Sequence, residues 1–380
     1  MDLDLTEGHR IFRDEVRLFS EEQILPVARE IDEKDLFPDD VITKAGAMGL
    51  MGIITPEEYG GMGKDLISYM LAIEEISRAS PSVALTISVN NSLVCSPIVQ
   101  FGSEEQKKEY LPKLARGEWL GSFALTEPGA GTDAGALSTT ASREDDSYIL
   151  NGHKMFITNM GKSSVILVFA KTSPDKGAKG ISAFLVRAPD DALVTEDVLE
   201  GMGMRGSQQM SFQMKDLKVS IRNMLGNEGE GFKIALWSLN MGRLGIAAQA
   251  LGIAEAALED ALDYASRREQ FGKPLSDFQA IQFRLADMGT EIEAARSMVM
   301  RAAWRTGNGS ASPSDPAMAK LLASQAAINV SGKALTILGG RGYLKGSRVE
   351  KLYRDAKITE IYEGTSDVQR MVIARQMFSR

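Results

Sequence analysis

The chain has one cysteine and two histidines in 380 residues. Cys95 alone cannot close an intrachain disulfide. No histidine adjoins it to activate its thiol, so it reads as a small buried hydrophobe. With only His9 and His153, an imidazole-based zinc site and a Ser-His-Asp arrangement are both poorly supplied. His9 reads as a surface residue of a first helix, and His153 as a hairpin residue after the turn Asn151-Gly152. Lysine and arginine number 43 against 51 acids, a net charge of −8, with no clustered basic patch. That balance argues against nucleic-acid binding. No apolar run reaches the ~18 residues of a membrane span. The first seven residues, Met1-Asp2-Leu3-Asp4-Leu5-Thr6-Glu7, are acidic and look like neither a secretory signal nor an Arg-rich transit peptide. The expected location is the cytoplasm of a bacterium, or a mitochondrial matrix if a leader has been removed. These shortages leave no metal in the expected chemistry and shift it towards a carboxylate and a bound cofactor.

What is present has a clear order. Up to about residue 120 the pattern is helical: Phe12, Val16 and Phe19 recur behind Thr6, and apolar helical stretches follow near 39–51, 65–79 and 82–100. Ser103-Glu104-Glu105-Gln106 is a capping box, with Gly117 beyond the end of its helix. From about 121 to 227 the period becomes two, with strands expected at Val165–Ala170, Ile181–Val186 and Met210–Leu217. Asn151-Gly152 between two apolar runs reads as a hairpin turn. From 228 to 380 helices return. Ser276-Asp277-Phe278-Gln279 reads as the cap of a helix whose seam runs Phe278, Ile281, Leu285, Met288, Ile292, Ala295, Val299. The expected fold is α+β, mainly α: an N-terminal helical domain (1–120), a middle antiparallel β domain (121–227) and a C-terminal four-helix bundle (228–380). Gly201-Met202-Gly203-Met204-Arg205-Gly206 fits G-x-G-x-x-G, but a strand-like run follows where the dinucleotide fingerprint requires a helix, so it reads as a turn.

Two motifs carry chemistry. Tyr362-Glu363-Gly364-Thr365 sets a carboxylate between a bulky side chain and a flexible backbone point, a candidate general base once desolvated. Leu125-Thr126-Glu127-Pro128-Gly129-Ala130-Gly131-Thr132-Asp133 is a glycine-rich segment whose N–H groups and hydroxyls suit an anionic ligand, though it lacks the Gly-Lys-Ser/Thr of a Walker loop. Each alone is compatible with an ordinary cap or turn.

Together with Arg267-Arg268-Glu269-Gln270-Phe271-Gly272-Lys273-Pro274-Leu275, these motifs resemble those of the acyl-CoA dehydrogenase family along the whole chain. Ser88-Val89-Asn90-Asn91-Ser92-Leu93 and Met241-Gly242-Arg243 look closest to its short-chain (butyryl-CoA) branch. The resemblance implies FAD-dependent oxidation of a short acyl-CoA to the 2-enoyl-CoA, as in fatty-acid β-oxidation. Glu363 would take the α-proton, flavin N5 the β-hydride, and electron-transfer flavoprotein the electrons. It implies that Phe123, Leu125, Thr126, Phe156 and Thr158 line the isoalloxazine and that Gly131 and Thr132 lie by the pyrophosphate. Arg268, Gln270, Phe271, Thr336 and Gly340 would contact a flavin across a subunit boundary in a homotetramer, with Thr365 and Asp367 beside its diphosphate and adenosine. Substrate contacts would come from Thr132, Asn240, Arg243, Tyr362 and the Glu363-Gly364 backbone. Some relatives carry the base at the position of Gly242, which has no side chain to serve. Asn240 and Thr336 depart from the usual Asp and Gln, and Trp237 is bulkier than usual, so a branched or alicyclic acyl group is a second expectation. An oxidase that reduces O2 on the same fold is a third.

Overall fold

The computed structural model describes residues 5–379; Met1 to Asp4, part of the acidic N-terminus, and Arg380 lie outside it. Thr6 caps α1 (Glu7–Phe19) by accepting from the His9 N–H, and Phe12 and Val16 are buried at helical spacing. α2 (Leu25–Lys34), α3 (Asp39–Ala47) and α4 (Leu66–Ala79) follow. α5 (Pro81–Ser88), a π stretch (Val89–Cys95) and α6 (Ser96–Phe101) form one continuous buried rod, and α7 (Glu104–Ala115) carries the expected capping box on Ser103. The rod and Ser314–Leu338 are long and apolar enough to cross a membrane by length and composition; the rod lies in the protein core.

The middle segment forms an eight-stranded sheet: β1 (Gly121–Ala124), β2 (Thr140–Glu144), β3 (Ser147–Ile157), β4 (Val165–Lys171), β5 (Ile181–Arg187), β6 (Leu193–Val198), β7 (Met210–Ser220) and β8 (Met224–Leu225). The order is β6-β7-β3-β2-β4-β5-β8, with β1 added beside β4. The sheet is mixed, not purely antiparallel as expected, because β1 and β2 both meet β4 in parallel. The hairpin reading of Asn151-Gly152 is also corrected. β3 runs straight through both residues, and the β2–β3 turn lies at Asp145-Asp146. The pair instead sits at a register shift against β7, where Asn151 exchanges hydrogen bonds with Asp216. Glycine is required at 152 because a β-carbon would overlap Thr139. The G-x-G-x-x-G segment is a loop between β6 and β7, as the sequence predicts. It ties sheet to helices: the Met204 N–H donates to Asp355 at 2.6 Å, and Arg205 donates to the Asp32 carbonyl at 2.6 Å.

The C-terminal part holds α8 (Gly231–Arg267), a small ribbon of β9 (Glu269–Gln270) and β10 (Lys273–Pro274), α9 (Gln279–Gly307), α10 (Ser314–Leu338), the short α11 (Gly340–Tyr343), α12 (Arg348–Thr359) and α13 (Ser366–Phe378). The α9 seam is buried from Met288 to Val299. Its start differs from expectation: Ser276 lies in a 3-10 turn, Phe278 holds the cap position, and no side chain caps the helix. Met288, Ile292 and Val299 share one apolar core with α1, α4 and α8, so the two helical segments pack as one body around the α4–α8 contact. The sheet carries separate apolar clusters on its two faces, and Phe123 touches both the helical core and one of these.

Candidate active site

Glu363 lies in the turn between α12 and α13. Its backbone is left-handed (φ 53°), as is that of Gly364 (φ 94°). A left-handed glutamate is strained, so the surroundings must hold it there. The Glu363 carbonyl accepts from Arg243 Nε at 3.4 Å and Gln369 Nε2 at 3.2 Å. The Gly364 carbonyl accepts from Lys320 Nζ at 2.9 Å and Gln369 Nε2 at 2.8 Å. The Tyr362 hydroxyl donates to Gln249 Oε1, and Gln249 Nε2 donates to the Pro81 carbonyl at 2.7 Å. Helices α8, α10 and α13 thus grip one four-residue turn.

The turn aims the Glu363 carboxylate at Gly242 on α8, where a β-carbon would overlap it. Oε2 is shielded from solvent and has no hydrogen-bond partner among the described residues. Burial pushes the carboxyl up to about 8, against the opposing pull of Lys320 and Arg243. An unpartnered, desolvated carboxylate titrating near working pH suits proton abstraction. Gly242→Ala should displace it. A misplacement of about 1 Å costs on the order of 10²-fold, and single-turnover flavin reduction checks this.

Arg243, itself buried, donates to Asn240 Oδ1 at 2.8 Å and to the Glu363 carbonyl, which brings these three residues together. A cleft of about 570 Å³ reaches Asn240 and is also lined by Met241, Trp237, Ser96, Thr306 and Ser312. Trp237 stands edge-on against Phe101 at 5.3 Å in its wall.

The sheet residues form a second group. The Met155 N–H donates to the Thr126 carbonyl at 2.9 Å and Ser122 Oγ to the Thr158 carbonyl at 2.8 Å, so β1 and its continuation run beside Phe156 and Thr158. Phe156 has φ 60° and is 57 % exposed. Phe123 is half-buried. The Leu125 side chain is buried in an apolar cluster. Gly131 and Thr132 are exposed, with open space beside Gly131. Under this loop, Lys154 donates to Glu127 Oε1 at 2.8 Å and to the Leu125 carbonyl at 3.2 Å. Burial alone would raise the Glu127 carboxyl. Lys154 and the hydroxyls of Ser138 and Thr139 reverse this and hold it at about 2.

Thr365 caps α13 by accepting from the Val368 N–H at 3.3 Å, and Asp367 pairs with Arg370 at 2.8 Å on the surface. Arg268, Gln270 and Phe271 sit on the exposed β9–β10 ribbon, with Phe271 at φ 54° and 94 % exposed. Thr336 donates to the Gly332 carbonyl at 3.0 Å, and Gly340 begins α11; both are exposed. The helical rise puts Arg268 about 39 Å along α8 from Gly242.

These surfaces fit a flavin. A half-exposed phenylalanine platform suits an aromatic ring, and the open glycine segment with its threonine hydroxyls suits a diphosphate. Lys320, Gln369 and Gln249, which hold the turn, were not singled out from the sequence. The one signal was a lysine inside the apolar run Ala317-Met318-Ala319-Lys320-Leu321-Leu322.

Comparison with known proteins agrees. Residues 6–118, 122–217 and 229–378 match the N-terminal, middle and C-terminal domains of acyl-CoA dehydrogenase. The short-chain specific mitochondrial acyl-CoA dehydrogenase of Homo sapiens is 47 % identical over 372 residues, covering 98 % of this chain and 90 % of that one. The solved butyryl-CoA dehydrogenase of Megasphaera elsdenii is 45 % identical, with TM-score 0.98 and full coverage of both chains. A chain from a structure of the electron transferring flavoprotein of Acidaminococcus fermentans gives the same identity, TM-score and coverage. With all three domains matched in order and the fold superposing end to end, this chain belongs to the acyl-CoA dehydrogenase family of FAD-dependent oxidoreductases.

Proposed function

We propose that this chain dehydrogenates a short acyl-CoA, of about four to six carbons, to the trans-2-enoyl-CoA with Glu363 as the base. The observation that carries the reading is the unpartnered Glu363 carboxylate, held on a strained turn against Gly242 of α8. The α-carbon would lie against this carboxylate, which accepts the α-proton as that C–H bond breaks. Among the described residues the Glu363 N–H has no acceptor, so it is available to the thioester oxygen as negative charge develops there. Bound FAD supplies the two-electron acceptor that takes the β-hydrogen with its bonding pair, a capacity no side chain has. Phe123, Thr126, Phe156 and Thr158 would hold its ring. Arg243, Asn240, Thr132 and Tyr362 would hold the thioester and pantetheine.

The ribbon residues Arg268, Gln270 and Phe271, together with Thr336 and Gly340, would serve a flavin in a neighbouring subunit. The exposed Phe271, Phe283, Tyr343, Leu344 and Phe378 support assembly into a homotetramer. Electrons would pass to electron-transfer flavoprotein, in keeping with the likeness to a chain from such a structure. Anaerobic mixing with butyryl-CoA should bleach the yellow protein, and reoxidation should be fast with electron-transfer flavoprotein and slow in air. A colour that survives every straight, branched and alicyclic acyl-CoA would overturn the proposal. Fast reoxidation in air would favour an oxidase.

Trp237 lines the cleft together with Met241. Trp237→Ala should raise kcat/KM for longer or branched esters relative to butyryl-CoA by about tenfold, the scale of one or two buried methylenes. Steady-state rates across an acyl-CoA panel check this.

A further inference from the structure

We infer that Lys320 is a positioning residue for proton removal by Glu363, acting through the positive charge it sets beside the turn that carries the carboxylate. The inference rests on Glu363 being the base. Lys320 is fully buried in α10 and donates to the Gly364 carbonyl at 2.9 Å.

Among the described residues four lysine or arginine side chains are buried: Lys154, Arg243, Lys320 and Lys351. Lys154 pairs with Glu127 and Lys351 with Asp355. Neither Lys320 nor Arg243 has a carboxylate within salt-bridge distance, and both donate to carbonyls of the Glu363-Gly364 turn. The buried carboxylates Asp32, Glu74, Glu75, Glu127, Asp315 and Asp355 each have a basic partner. Two buried cations without a carboxylate therefore converge on the turn whose carboxylate has a shielded, unpartnered oxygen.

Such a cation is a liability for folding. Its hydrogen bond does not justify it, since the Gly364 carbonyl also accepts from Gln369. What Lys320 adds is charge. The groups facing Glu363 are Arg243 from α8, Lys320 from α10 and Tyr69 from α4, with Tyr362 in the turn; Glu360 acts on Lys320, and Asp355 on Tyr362. Burial lowers the Lys320 amine, as does Arg243, while Glu363 and Glu360 oppose this. Lys320 and Arg243 in turn draw the Glu363 carboxyl down against burial. Without Lys320, burial would hold Glu363 protonated to higher pH and leave less base at neutral pH.

The test compares wild-type holoenzyme with Lys320→Met, which removes donor and charge, and Lys320→Gln, which retains a donor only. The Glu363 midpoint is read from the pH titration of its carboxyl infrared band, assigned by its loss in Glu363→Gln, and from single-turnover flavin reduction. Both lysine variants should keep their flavin and unfold no lower than wild type. Both midpoints should rise by about one pH unit, the lower end for a charge at close range, with reduction near neutral pH slowed about tenfold. An unmoved midpoint in either variant, or early unfolding with flavin loss, would overturn the inference and leave Lys320 a structural anchor. If Glu363→Gln reduces its flavin at the wild-type rate, the base assignment fails instead.

Discussion

Glu363→Gln is expected to keep its flavin and lose flavin reduction by butyryl-CoA. Glutamine matches the carboxylate in size, and the carbonyls of residues 363 and 364 keep their bonds to Arg243, Lys320 and Gln369. What disappears is the proton acceptor, which contributes on the order of 10²–10⁴-fold by itself. Anaerobic stopped-flow absorbance measures the loss. Bleaching at the wild-type rate would mean that another group takes the proton. Stability gives an independent reading. The folded-state Glu363 carboxyl lies at about 8, above its ordinary value of 4.5. The native protein therefore loses stability as pH rises from 4.5 through 8, because the buried site resists the charge. Glu363→Gln is spared this loss. Its unfolding temperature should exceed that of wild type by more at pH 9 than at pH 5, and a constant difference would argue against a desolvated carboxylate.

Lys154→Met should cost about 3–5 kcal/mol of stability and most of the bound flavin. The substitution leaves Glu127 as a buried anion with neutral donors alone, and breaking one side of a buried pair carries a cost of that size. The lysine also bonds the Leu125 carbonyl, so its loss frees the segment proposed to hold the flavin ring. The Glu127 carboxyl is held at about 2 when folded, below the ordinary 4.5. Its contribution is present above the unfolded value and is lost as pH falls from 4.5 towards 2. The variant should therefore show its deficit at neutral pH and converge on wild type in acid. Denaturant titration at several pH values, with flavin content by absorbance, checks both parts. Full stability with full flavin content would show that the pair is dispensable.

The sequence reveals what is local. The Thr6 and Ser103 caps, the α9 seam and the strands at 165–171, 181–187 and 210–220 each follow from residues within a few positions of one another. Asn151-Gly152 misleads because an Asn-Gly pair satisfies a tight turn and a bulge equally well, and only contact with Thr139 and Asp216 decides between them. Ser276 has the right type and spacing for a cap, but a 3-10 turn uses the chain there first. The site divides in the same way. Glu363 can be picked out because its motif is contiguous. The groups that hold it cannot, because Gln249, Lys320 and Gln369 come from three helices, and each alone is an ordinary polar residue in an apolar pattern.

The most direct test of the central claim is the pH dependence of the second-order rate of flavin reduction by butyryl-CoA. That quantity reports the free enzyme. If Glu363 is the base, the rate should climb as the carboxyl loses its proton, with a midpoint at about 8. A rate that stays flat or falls through that range would contradict the account.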